Sequence, residues 1–138
     1  MNLPVELARA VRARAGDRCQ YCLMHQSLQG ATFHFEHIIP RSKGGETELG
    51  NLILACPSCN FHKADRTEAI DPNTSAHVPL FRPLLQAWTD HFWFRGYEIE
   101  GVTPVGRATV AALHLNHPRR QRIRAAEQKF GLFPAVRP

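Results

Sequence analysis

The sequence predicts an α+β fold. A short strand–loop–strand–helix unit is closed by a four-cysteine clamp and flanked by an N-terminal helix and a C-terminal extension. Three observations predict it. Cys19/Cys22 and Cys56/Cys59 form two Cys-x-x-Cys pairs bracketing the middle of the first half. Residues 32–37 alternate, with Phe33 and Phe35 pointing one way and His34 and Glu36 the other, as a half-buried strand does. After Asp71 the spacing changes to turn chemistry, aromatic residues and basic helical segments.

Each element has a local reason. Residues 4–15 read as a helix, with Pro4 in the first turn and Gly16 able to supply a left-handed stop. Leu7 and Val11 share one face among Arg9, Arg12 and Arg14, which suit a solvated face or a lean on DNA. Residues 17–22 form the first metal knuckle, Gly44-Gly45 mark a loop, and residues 51–55 are a second short apolar strand. A helix is expected over 59–69. Beyond it, Asp71-Pro72-Asn73-Thr74 form a turn, and Leu84, Leu85, Trp88 and Phe92 fit a helical face. A hairpin over 92–102 turns near Arg95-Gly96. Thr103-Pro104 caps a helix running to about residue 116, and a basic helix over 119–130 stops at Gly131. The expected division is therefore 1–70 and 71–138, with the second part packing on the first and carrying no spacing that implies catalysis.

At 138 residues, with Lys+Arg 17 against Asp+Glu 12, the chain carries a net charge of +5 and suits a polyanionic partner. Its first fifteen residues are broken by arginines, which makes neither a signal peptide nor a membrane span. The expected location is a reducing cytoplasm, where paired cysteines are metal ligands rather than disulfides. Two Cys-x-x-Cys turns complete a thiolate tetrahedron around Zn²⁺, with no position left for water, so that zinc is structural. Zinc-finger peptides bind it with roughly 10–16 kcal/mol, enough to decide whether a small unit folds.

Inside the clamp lie Glu36-His37 at a strand end and Asn60 directly after Cys59. Carboxylate and carboxamide oxygens suit a hard ion such as Mg²⁺. A metal between Glu36 and Asn60 would sit beside the zinc without sharing its ligands. The run from Glu36 to Gly45, the run from Asn51 to Asn60, and Lys63 together resemble the HNH endonuclease family, in its four-cysteine ββα-metal (His-Me finger) form. The resemblance covers about residues 17–66. Segments around Pro79-Leu80-Phe81, Trp88, His91-Phe92 and 101–109 are similar to the tail of small stand-alone bacterial HNH proteins.

The resemblance implies a DNA endonuclease or nickase that leaves 5′-phosphate and 3′-hydroxyl ends. His37 would be the general base, with Glu36 and Asn60 as ligands of Mg²⁺, Mn²⁺ or another divalent ion. Asn51 would hold the loop that orients His37. Read from the residues themselves, Arg41, Lys43 and Lys63 suit phosphate contact or plain solvating charge, and His34, on the strand face of Glu36, suits support of the ligands or simple packing. Two departures stand out: Glu36, a methylene longer than Asp, stands where Asp or His is commoner, and Asn60 takes the third position, with His62 two residues on as a ligand candidate through water, a phosphate contact, or a helix-surface residue. The expected partner is double-stranded DNA first, with branched or single-stranded DNA as alternatives; no membrane is involved, and a monomer or homodimer fits equally. The competing expectation is a non-catalytic zinc module that binds nucleic acid, or a partner recruited through Arg119, Arg120, Arg122 and Arg124.

Overall fold

The computed structural model describes residues 2–135. The chain forms two compact units that divide between Thr67 and Glu68. The architecture is α+β, built, among the described residues, of helices and three separate two-stranded antiparallel sheets.

In the first unit, helix α1 spans Val5–Ala15 and stops at Gly16, whose φ of 62° is left-handed. Val11 is its fully buried residue. Strand β1, His34–His37, pairs with β2, Leu52–Ala55, placing Glu36 opposite Ile53 and His37 opposite Leu52. All of β2 is buried. Its free edge is held by the first knuckle, where the Gln20 backbone donates to Leu54 and the Gln20 side chain accepts from it. Arg14 donates to the carbonyls of Leu49 and Leu52. That arginine therefore fastens α1 to the start of β2 while remaining exposed.

Helix α2, Pro57–Lys63, begins in the second knuckle, with Cys56 as its cap and Pro57 in its first turn. The expected helix over 59–69 is too long by a turn and a half. Ala64 takes a φ of 50° and breaks the helical path, and residues 68–70 become a strand instead. The Lys43 ammonium donates to the Asp65 carbonyl just past that break.

In the second unit, β3 (Glu68–Ile70) pairs with β4 (His77–Pro79) around the expected turn at residues 71–74. Asp71 is fully buried there; it accepts from the Asn73 backbone and the Thr74 hydroxyl and forms a two-pronged ion pair with Arg107. The expected helical face from Leu84 to Phe92 shrinks to one turn, α3 (Trp88–His91). Leu84 adopts a φ of 78°, Leu85 is exposed, and Phe92 starts a strand. Strands β5 (Phe92–Arg95) and β6 (Glu98–Gly101) make the expected hairpin, with Gly96 at φ 59° in its turn. Thr103 caps α4, Pro104–Ala112, by accepting from the Gly106 amide at 3.0 Å. α4 ends four residues before expected.

The final helix α5, Pro118–Lys129, corrects one expectation. Arg120 and Arg124 are buried and donate to carbonyls, Arg120 to Leu113 and Arg124 to Tyr97 and Leu115. They close open backbone acceptors inside the unit, so half of the basic surface read from the sequence is interior. Among the described residues, no helix is long and apolar enough to cross a membrane.

Candidate metal centres and nuclease site

The four cysteines are buried, and their sulfurs all lie within 4.8 Å of one another. Cys22 Sγ and Cys56 Sγ are 3.8 Å apart, the edge of a tetrahedron with Zn–S bonds of about 2.3 Å. Two tight turns build this cluster. In the first, Leu23 takes a φ of 65°, its amide donates to the Cys19 carbonyl, and Cys19 donates to Met24. In the second, the Cys59 amide donates to Cys56 Sγ at 3.4 Å. Hydrogen bonds with Cys19 and Cys22 push the Cys56 thiol far above its ordinary range, and burial does the same for Cys59. Thiolates packed this closely require a cation among them, and four sulfurs at this spacing are positioned to form a zinc site.

Beside the cluster, Glu36 and His37 leave β1 in different directions. Glu36, with 13% of its side chain exposed, faces Lys63 of α2, whose ammonium is 3.5 Å from Oε1. Lys63 is 1% exposed and also donates to the His37 carbonyl at 3.3 Å. It therefore lies beneath the site, not on a surface where phosphate would meet it first. Burial raises the Glu36 pKa against the opposing pull of Lys63, and burial lowers the Lys63 pKa against the pull of Glu36. For both partners desolvation outweighs their mutual attraction.

The His37 ring turns to the loop between the strands, where its Nε2 is 2.9 Å from the Thr47 hydroxyl. Burial, then the charges of Arg41 and Lys63, hold its pKa below the usual imidazole range, which favours the neutral ring. Thr47 is a site residue that the sequence reading missed. A single threonine ten positions along a loop carries no spacing signal.

Asn51 is almost fully buried and stitches that loop. Its Oδ1 accepts from the Ile39 amide at 2.9 Å, and its Nδ2 donates to the carbonyls of Ile39 and Glu46 at 3.0 and 2.9 Å. Gly45 fits under this stitch because it lacks a side chain; a Cβ there would lie 1.7 Å from the Ile39 oxygen. Glu46 adjoins Thr47, so the bonds of Asn51 fix the segment that holds His37.

Asn60 is half-buried on α2, one turn before Lys63, and its carboxamide has no hydrogen-bond partner among the described residues. The same holds for Glu36 Oε2. One carboxylate oxygen and one carboxamide thus remain unengaged, and oxygens of these two kinds suit a hard cation such as Mg²⁺ or Mn²⁺. His62 packs its ring edge-on against Phe61, with centroids 5.1 Å apart. His34 is exposed on β1. Arg41 is exposed in a short 3₁₀ turn after the strand, while Lys43 is engaged with the Asp65 carbonyl.

The HNH endonuclease family model matches residues 19–66. The matched stretch starts at the first clamp cysteine and ends just past α2, so it contains both knuckles, the two strands, the loop and the helix. It points to a nuclease family. No curated protein and no solved structure matches the chain. The matched stretch lies wholly in the first unit.

Proposed function

We propose that the chain is a zinc-stabilised, divalent-metal-dependent DNA endonuclease or nickase that hydrolyses phosphodiesters to 5′-phosphate and 3′-hydroxyl ends. The observation that carries the proposal is the His37 imidazole, biased toward its neutral form and held through Nε2 by Thr47, next to the half-buried carboxylate of Glu36. With Nε2–H donating to the Thr47 hydroxyl, Nδ1 is the basic nitrogen and takes a proton from the attacking water. Asn51 keeps the loop closed, so the ring does not swing away from that proton. Arg41, exposed in the turn after β1, binds the phosphate, and its charge adds to the burial that holds His37 toward its neutral form. Glu36 and Asn60 are the residues that would hold the divalent ion, and its positive charge would stabilise the phosphate and the departing 3′ oxygen. The net charge of +5 suits the polyanionic substrate.

The test is nicking of supercoiled plasmid by the zinc-loaded chain with Mg²⁺, Mn²⁺ or Ni²⁺. His37→Ala is expected to slow cutting by about 10²–10⁴-fold, the usual worth of a general base. Cutting that survives this substitution would refute the assigned base. Binding without cutting on supercoiled, linear, single-stranded and branched DNA would favour a non-catalytic zinc module.

A further inference from the structure

Lys63 is a buried lysine with a fixed address. It lies one helical turn after Asn60 and is 1% exposed, and its ammonium is shared between Glu36 Oε1 at 3.5 Å and the His37 carbonyl at 3.3 Å. A buried ammonium is costly unless paired, so these contacts restrain it in a way that a solvated lysine is not restrained. The consequence falls on Glu36. One of its oxygens faces a positive charge, and the other, Oε2, has no partner among the described residues.

We propose that Lys63 makes Glu36 a one-oxygen ligand and thereby selects small octahedral cations over Ca²⁺. The proposal rests on Glu36 being an ion ligand, as in the function proposed above. A cation bound through both carboxylate oxygens would have to lie close to the ammonium, and like charges at that range repel strongly. A cation bound through Oε2 alone avoids the ammonium. Mg²⁺ and Mn²⁺ accept single carboxylate oxygens and fill their octahedra with water. Ca²⁺ collects six to eight oxygens and gains most from carboxylates that offer two. Lys63 also restrains Glu36, whose extra methylene over Asp would otherwise let the carboxylate rotate to present both oxygens.

The experiment is calorimetric titration of the zinc-loaded full chain with Mn²⁺ and with Ca²⁺, for wild type, Lys63→Met and Glu36→Gln. Both ions carry two charges, so loss of the ammonium's general repulsion cancels in the ratio of their affinities. Lys63→Met, which keeps the apolar stem, is expected to shift that ratio toward Ca²⁺ by about tenfold, within the range over which ligand number tunes Ca²⁺ sites. An unchanged ratio overturns the proposal. If Mg²⁺-dependent, His37-dependent cutting is seen alongside that unchanged ratio, the nuclease reading stands and the selectivity role alone falls. Glu36→Gln binding both ions as wild type does would remove Glu36 as a ligand and sink the proposal at its base. A crystal structure of the wild-type chain with Ca²⁺ gives a second readout that needs no variant. One Glu36 oxygen on the ion supports the proposal, and two overturn it.

Discussion

At the scale of single residues, Thr47 and Arg41 set the state of His37 by different means. Thr47 acts through one hydrogen bond at 2.9 Å, so Thr47→Val keeps the shape and removes the partner. It is expected to lower kcat by about tenfold with zinc content unchanged, while Thr47→Ser retains most activity. Arg41 acts through charge, pressing the imidazole pKa down. Its removal should therefore raise that pKa, and the acid limb of the kcat/KM profile should move to higher pH. A pH–rate profile of Arg41→Ala that kept the wild-type midpoint would contradict this. The same variant should weaken DNA binding uniformly across sequences and flatten the salt dependence by about one phosphate contact. Neither role follows from sequence spacing in the same degree. Glu36, His37, Asn51 and Asn60 stand at recognisable intervals from the cysteines, whereas Thr47 is found only once the loop is folded. Lys63 was visible as a residue but not as a buried one, because its ion pair with Glu36 spans 27 positions.

At the scale of elements, the knuckles, β1, β2 and α2 have distinct tasks. The knuckles gather four sulfurs, β1 delivers Glu36 and His37, and α2 delivers Asn60 and Lys63. Cys59→Ser strikes the clamp and the start of α2 together. It should reduce bound zinc and unfold the first unit, to be read by metal analysis and circular dichroism. The helix was legible at its start, where Cys56 and Pro57 make a cap and first turn, but not at its end. Ala64 carries no breaker signal in its own chemistry, yet it holds a positive φ imposed by the surrounding chain. The β3–β4 hairpin has its own anchor in Asp71, whose carboxyl Arg107 holds well below the usual carboxylate range. A carboxyl depressed in the folded state gives stability that is full above its unfolded pKa and is lost as pH falls through the folded one. The second unit should therefore lose stability in acid below about pH 4, the ordinary carboxylate range. Asp71→Asn should be less stable at neutral pH and show a flatter acid response by thermal denaturation.

At the scale of the whole molecule, the two units differ in how their sequences announce them. The first carries paired cysteines and a spaced polar set, so its architecture and candidate chemistry could be read together. The second is held by arginines whose charges satisfy backbone carbonyls, and a basic helix with Arg120 and Arg124 inside looks the same in sequence as one displaying them. In the function proposed above the first unit divides its labour: four cysteines take zinc to build the fold, while Glu36 and Asn60 take a second ion for cutting. The most direct measurement is the metal content of wild type and Glu36→Gln after mild chelation and exposure to Mn²⁺. One zinc per chain is expected in both proteins, with Mn²⁺ retained by the wild type alone. Zinc lost from Glu36→Gln, or Mn²⁺ held equally by both, would contradict that division.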